Sequence, residues 1–323
     1  MSFAPRAASA AELSAPSSRR RSRSVAESVR ALAPPYLLLL PAVVVLVGVL
    51  AYPLYWLGRI SFESYGLKEL IAHRGRWTGL DNYRHMFGDA EFWRIVGRTL
   101  VFTAVNVGLT MLLSTVIALL LVRMGPIVRT LVVVGLVWVW ATPTIVGVAI
   151  WQWMVDFEFG VLNWTLTELH FGDFIHHNWF DDPLQGFAVI TAVVVWGAIP
   201  FAAITLFAGF SQVPQELVEA AEVDGATGWD VFRRVTFPLV KPIFIIIASL
   251  SIIWDFQVFQ QIWVMLENRP SNDYFLIAVY SFVQSFRVSN YGLGAAIAVV
   301  MVAILLCVSF VYVRQMVRIS DVD

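Results

Sequence analysis

Two stretches of this 323-residue sequence carry residue types that could do chemistry. The first is "IIWDFQVFQQIW", Ile252 to Trp263, where Asp255, Gln257, Gln260 and Gln261 are interleaved with Trp254, Phe256, Phe259 and Trp263. Carboxylate and amide groups supply hydrogen-bond donors and acceptors, and the aromatic rings supply flat apolar faces. That combination suits a polyhydroxylated ligand such as a carbohydrate. Gln and Asp also hydrogen-bond neighbouring helices in membranes, so a packing role for the same residues stays open. An acid at the centre of a lipid-spanning helix costs about 2.5–3.5 kcal/mol on insertion scales, so Asp255 must face a partner or a water-filled path.

The second stretch, "ELVEAAEVDGATGWDVFRRVTFPLVKP", Glu216 to Pro242, is a polar island of 27 residues between apolar runs. Pro214 suits a first helical position, and Glu216 and Glu219 then fall where the helix dipole favours acids. Leu217, Ala220 and Ala221 give this helix an apolar side. Gly225 fits the left-handed stop that follows. Thr227 can cap a second helix, with Asp230 as an acidic variant of the capping box. Arg233 and Arg234 then sit near the C-terminal end of that helix, and Pro238 and Pro242 mark the return into apolar sequence. The pattern predicts a helix, a glycine turn and a helix over 212–240, lying at a membrane surface. An anchor of that shape needs no further function.

Other candidates are weaker. Thr103, Asn106, Thr110 and Ser114 share one helical face, as suited to helix packing as to a ligand. Trp140, Thr144, Trp151 and Gln152 follow, with a kink expected at Pro143. Trp196 and Gly197 precede a second expected kink at Pro200. His170, His176 and His177 crowd one loop with Asp173, Asp181 and Asp182, but without a recognised metal-ligand spacing. No metal is expected. The two lysines, Lys68 in "GLKEL" and Lys241 in "LVKPI", lie outside any phosphate-binding loop, and "HExxH" and "GxSxG" patterns are absent. The chain is therefore not expected to be an enzyme. Nucleic-acid binding has only "RRRSR", Arg19 to Arg23, in its favour, and that run reads better as a basic tail beside a membrane.

The elements that must position these residues are membrane helices. The chain is 59% hydrophobic and 14% charged, with a mean hydropathy of +0.73, far from a soluble domain. A spanning helix needs about 20 apolar residues. Six continuous runs qualify, over 36–57, 99–122, 131–155, 187–210, 243–266 and 291–313. Continuous runs argue against a barrel. The fold expected is an all-α polytopic membrane protein with six transmembrane helices. Residues 1–34 read as a disordered basic tail, 35–317 as the membrane domain and 318–323 as a short C-terminal tail. Cys307, the single cysteine, reads as a small buried hydrophobe. With both termini in the cytoplasm, the inner segments carry a net charge of +4 and the outer ones −4, in line with the positive-inside rule. The first outer segment dissents, with six basic residues from Lys68 to Arg98. The polar island then faces the cytoplasm.

The island resembles a known signature. Glu219-Ala220-Ala221, three residues, Gly225, nine residues, Val235, one residue and Phe237-Pro238 match the spacing of the "EAA" motif of membrane subunits of binding-protein-dependent ABC importers. Val235 and Phe237 stand where the family usually has Ile and Leu. "GLDNY", Gly79 to Tyr83, "GVLN", Gly160 to Asn163, and "YGLGAAIAVV" continue the likeness to maltose-type sugar permeases over roughly 37–317. "LENRPSNDY", Leu266 to Tyr274, departs from the glycine loop of many relatives.

The resemblance implies a type I importer permease that translocates a sugar, a di- or oligosaccharide. The solute would be delivered by an extracytoplasmic binding protein. It implies a second, homologous permease subunit and two cytoplasmic ATPase subunits, which bind the ATP and Mg; this chain needs no cofactor. It implies a bacterial plasma-membrane location among lipid. By motif, Glu219, Ala220, Ala221, Asp224, Gly225 and Pro238 would form the ATPase-coupling segment. The candidate substrate path is Trp254, Asp255, Gln257, Phe259, Gln260, Trp263, Asn106 and Trp151. Permeases for diacetylchitobiose, cellobiose, maltose, trehalose and glycerol-3-phosphate share this framework, so a non-oligosaccharide solute stays open. A self-contained secondary transporter would show inverted repeats and more intramembrane charge.

Overall fold

A computed structural model describes residues 25–320; residues 1–24 and 321–323, with the "RRRSR" run and the end of the C-terminal tail, lie outside the described residues. The chain divides into two units, Met1–Tyr55 and Trp56–Asp323. The first is described by the start of α1 (Val25–Ser61). The segment expected as a tail over 1–34 is thus helical from Val25 onward.

The second unit continues with β1 (Glu63–Ser64), α2 (Leu67–Ala72), β2 (Arg76–Trp77), α3 (Asp81–Gly88) and α4 (Ala90–Arg123). Then come α5 (Pro126–Ala141), α6 (Thr144–Met154), α7 (Val161–Glu168), α8 (Pro183–Phe210) and α9 (Gln215–Val223). α10 (Gly228–Val231) passes through a π-turn (Phe232–Thr236) into α11 (Phe237–Phe256), followed by α12 (Gln260–Met265), α13 (Ile277–Phe282), a second π-turn (Val283–Arg287) and α14 (Tyr291–Ser320). Strands β1 and β2 form an antiparallel pair in an otherwise helical chain.

Five helices are long and apolar enough to cross a membrane, and six if the bent pair α5–α6 counts as one span. The third span bends where a kink was expected, and the fourth and fifth differ from the sequence expectation. The third is bent by 99° between α5 and α6, at Pro143; proline cannot donate the helical hydrogen bond and its ring crowds the preceding turn. The fourth holds Pro200 inside one unbroken helix. The fifth, expected over 243–266, ends as a helix at Phe256, and Gln257–Phe259 separate it from α12.

The same span begins earlier than expected. Pro238 and Pro242 do not mark a boundary, because helix runs from Gly228 through both prolines to Phe256. The π-turn explains how. Phe237 N–H bonds the Phe232 carbonyl, five residues back. This wider turn makes room for the Pro238 ring, which a regular α-turn would press against the carbonyl four residues earlier. Arg233 and Arg234 therefore sit mid-helix, not at a C-terminus, and Arg234 pairs with Asp230 at 3.3 Å.

α4, α8 and α11 form the centre of the bundle. Along α4, Thr99, Thr103, Asn106, Thr110 and Ser114 are all buried, and Ser114 Oγ donates to the Ile199 carbonyl on α8. One apolar cluster gathers Phe92, Ile95 and Phe102 of α4 with Ile190, Phe256, Ile262, Ile277 and Ile297. A second gathers Ala118, Ala202, Leu206, Phe210, Val240 and Ile247 around the other end of α4. Gly292 opens α14 where a Cβ would collide with the Glu63 carbonyl, so the β1 strand lies directly on that helix start. Cys307 faces outward from α14, not into the core.

The loops flanking this bundle are built, not slack. Asn163 is 3% exposed. Its Nδ2 donates to the carbonyls of Asp156 and His177, and its Oδ1 accepts from Trp179 Nε1 at 2.6 Å. Trp179 in turn stacks on Phe174 at 5.6 Å between centroids. The "LENRPSNDY" loop delivers Tyr274, whose hydroxyl lies 2.9 Å from the Phe180 carbonyl. A Cβ at Gly186 would strike that hydroxyl. Burial first, then the charges of Asp182, Asp181 and Asp273, push the Tyr274 phenol up to about 12, so it stays a neutral donor.

Asn163→Leu removes three hydrogen bonds and strands buried partners at a cost of roughly 1–3 kcal/mol each. The 156–186 loop is expected to lose hydrogen-exchange protection while α4 and α8 keep theirs. Unchanged loop protection would show that Asn163 does not hold it.

Candidate functional site

A cavity of about 290 Å³ lies where the two interrupted spans meet α8. Its walls include Trp140, Thr142 and Thr144 beside the α5–α6 bend, Trp196 and Gly197 of α8, and Ser251, Trp254, Asp255 and Gln261 around the α11–α12 break. Irregular backbone at membrane depth is tolerated where protein buries it or where it lines a water-filled space. Both interruptions meet that condition at the same cavity.

Asp255 sits at the end of α11 and is 4% exposed. Its Oδ2 is buried and has no hydrogen-bond partner among the described residues. Aromatic rings surround it. Trp140 stacks on Phe201 at 6.5 Å, and Phe201 meets Trp254 edge-on at 5.4 Å. Trp196 is held from behind by Trp151 at 6.3 Å. Gly147 is what lets Trp196 stand there, since a Cβ at that position would come 2.9 Å from the indole ring. The site thus combines one unpaired carboxylate, hydroxyl and amide groups, and flat ring faces.

Of the substrate-path residues expected from sequence, Trp254 and Asp255 line this cavity, as does Gln261. Trp151 stands one layer behind. The break at Gln257–Phe259 turns the others away. Gln257 is exposed and donates to the Ile253 carbonyl, and Gln260 is exposed. Phe259 and Trp263 stack on each other, and Phe282 meets Phe259 at a tilt and Trp263 edge-on. Asn106 is fully buried on α4, its Nδ2 donating to the Phe102 carbonyl and its Oδ1 unpaired among the described residues. Ser251, Thr142, Gly147 and Phe201 were missed. Ser251 precedes Asp255 by four residues, one helical turn, which was a usable signal.

The polar island folds as a second feature. Pro214 is the cap of α9, one position before its first helical residue. Gly225 has φ +84°, and Ala226 N–H bonds the Ala221 carbonyl while Gly225 N–H bonds that of Glu222. That is a Schellman stop, which favours glycine because other side chains strain in the left-handed region. Thr227 then accepts from Asp230 N–H and the capping box closes. Glu219, Ala220, Asp224, Gly225 and Pro238 are exposed and Ala221 is half-buried. Ala221, Asp224 and Gly225 border a polar recess with Asp230 and Arg234. Among the described residues, no group of three His, Cys, Asp or Glu side chains could hold a metal.

Residues 110–320 match the family described as binding-protein-dependent transport system inner membrane component. The diacetylchitobiose uptake system permease protein DasB of Streptomyces coelicolor is 39% identical over 280 residues, 87% of this chain and 85% of that protein. The trehalose/maltose transport system permease protein MalF of Thermococcus litoralis is 29% identical over 282 residues, 86% of this chain and 92% of that one. In fold, the chain is similar to a chain in the crystal structure of a bacterial ABC transporter involved in the import of the acidic polysaccharide alginate. There the TM-score is 0.71 at 19% identity, covering 89% of this chain and 98% of the other.

An unpaired buried carboxylate lowers stability. Asp255→Leu is expected to raise the unfolding free energy in detergent by roughly 1–3 kcal/mol, read by thermal or denaturant unfolding. A comparable loss would mean that Asp255 is paired in the folded chain.

Proposed function

We propose that this chain, which belongs to the family of binding-protein-dependent transport system inner membrane components, is the permease subunit of an ATP-driven sugar importer. The observation that carries the sugar reading is the cavity at the two span interruptions, with the Asp255 carboxylate among Trp140, Trp196 and Trp254. Carboxylate and hydroxyl groups take sugar hydroxyls or amide N–H groups, and the rings take the apolar C–H face of a pyranose. The relatives named for diacetylchitobiose and for trehalose and maltose support a di- or oligosaccharide. A family member for a smaller solute such as glycerol-3-phosphate is the competing reading.

In this proposal an extracytoplasmic binding protein delivers the sugar, and a second permease completes the path. Two cytoplasmic ATPase subunits bind ATP and Mg. Both termini and the island lie in the cytoplasm of a bacterial cell. Glu219, Ala220, Ala221, Asp224 and Gly225, at the end of α9, dock on an ATPase, with Pro238 behind them: small Ala220 and Ala221 permit close approach, and Glu219 offers a charge to a basic partner. Closure of the ATPase pair then moves the docked turns and switches the helix bundle between inward-open and outward-open states.

Uptake by the assembled importer in proteoliposomes tests the function. Uptake of a β-linked or α-linked disaccharide that requires both ATP and the binding protein is expected. Trp254→Ala and Asp255→Asn should each reduce it about tenfold or more, in line with the loss of a buried charged hydrogen bond or an aromatic face. Uptake confined to amino acids or peptides, or uptake independent of ATP, overturns the proposal.

The docking assignment has its own check. Gly225→Pro cannot adopt the left-handed turn, and Glu219→Lys reverses the charge. Both variants should insert in the membrane normally yet fail to co-purify with the ATPase. Wild-type co-purification and transport by both would refute the assignment.

A further inference from the structure

A larger cleft, of about 720 Å³, opens between the last turns of α4, the end of α8, α9 and the π-turn region. Nothing in the sugar path uses it. Its walls are apolar, including Leu112, Val116, Leu119, Val218, Phe237 and Phe244. α4 is long and apolar enough to be a membrane span, which sets its Leu112, Val116 and Leu119 at membrane depth, where an open apolar cleft meets acyl chains. Trp229 also borders the cleft and is 67% exposed, a residue type enriched at the membrane–water boundary.

Two charges of opposite sign also border this cleft. Arg123 ends α4, and Glu222 lies in the last turn of α9. Among the described residues neither forms an ion pair, with the other or elsewhere. The neighbouring Arg129 is not available, since it donates to the carbonyls of Leu121, Val122 and Met124 and closes the end of α4. A guanidinium suits a phosphate. A carboxylate suits an ammonium that still carries N–H donors.

We propose that the cleft binds one amine-headgroup phospholipid of the phosphatidylethanolamine type. Its acyl chain lies against Val116 and Phe244, its phosphate on Arg123 and its ammonium on Glu222. The lipid braces α9 against α4. A phosphatidylcholine headgroup has no N–H for Glu222, and phosphatidylglycerol has no cation for it, so both should bind less well.

Native mass spectrometry of the assembled importer, delipidated and titrated with each of the three lipids, tests this. Phosphatidylethanolamine should bind about tenfold more tightly than either of the others, the size of one charged hydrogen bond. Glu222→Gln should erase that preference, Arg123→Gln should weaken all three lipids alike, Arg123→Lys should keep most of the affinity, and Val116→Trp, which crowds the acyl-chain wall, should weaken binding. Equal binding of the three lipids, a preference that survives Glu222→Gln, or an affinity unchanged by Arg123→Gln overturns the proposal. So does cross-linking of a Leu119→Cys variant, on the α4 wall, to a partner subunit, which would place protein, not lipid, in the cleft.

Discussion

In hydrocarbon a backbone N–H or carbonyl without a partner costs several kcal/mol, and that constraint governs where this chain can stop being helical. Within the bundle it interrupts two spans, at Thr142–Pro143 and at Gln257–Phe259. Both interruptions border one cavity with α8. The cavity and the breaks therefore explain each other. A break freed from helical hydrogen bonds needs a polar or aqueous neighbour, and a polar cavity at this depth needs walls that can expose hydrogen-bonding groups. Asp255 extends the same logic to a side chain. Its unpaired oxygen is a stability cost located at the wall of the proposed sugar site.

Elsewhere the constraint selects for closure. α4 carries a buried seam of Thr99, Thr103, Asn106, Thr110 and Ser114, and several of these return a side-chain bond to their own helix or to α8. Thr103 Oγ1, Asn106 Oδ1 and Thr110 Oγ1 are nonetheless buried without a partner among the described residues, as Asp255 Oδ2 is. What sets Asp255 apart from that seam is the cavity it lines beside a helix break. Residue type alone does not make that distinction; the break beside Asp255 does.

This is also where the sequence could and could not be read. The apolar runs were legible because length and hydropathy are local properties. So were the Gly225 stop and the Thr227–Asp230 cap, which depend on a few adjacent residues. The cavity lining was not. Gln257 and Gln260 lie two and five residues after Asp255, off its face even in a continuous helix, and Trp263, eight residues on, lies beyond the end of the helix at Phe256. No Pro or Gly marks that break. Pro238 misled in the opposite direction, because a π-turn lets helix pass a proline that ordinary spacing reads as a boundary. Gly147 gave no local signal, since its reason is the Trp196 ring on another helix.

The unbroken passage through Pro238 has a mechanical consequence. Helix runs for 29 residues from Gly228, next to the Gly225 turn, to Phe256, next to Asp255. At about 1.5 Å per residue the proposed docking turn and the proposed sugar site are joined by about 43 Å of one helix. A hairpin with a separate re-entry helix would have put a flexible joint between them. Here the compliant point is the π-turn itself, whose hydrogen bonds span five residues instead of four and whose register can shift at lower cost than a regular turn. Motion at the island thus has two routes: the helix tilts as a rod and carries Asp255 with it, or the π-turn absorbs the motion and leaves Asp255 in place. The Asp230–Arg234 pair bridges the start of that turn, but it is exposed on the arginine side, so it is worth little. The stiffness of the connection must come from Val240 and Ile247, which cluster with Leu206 and Phe210 immediately beyond the π-turn. Those apolar contacts favour the rod.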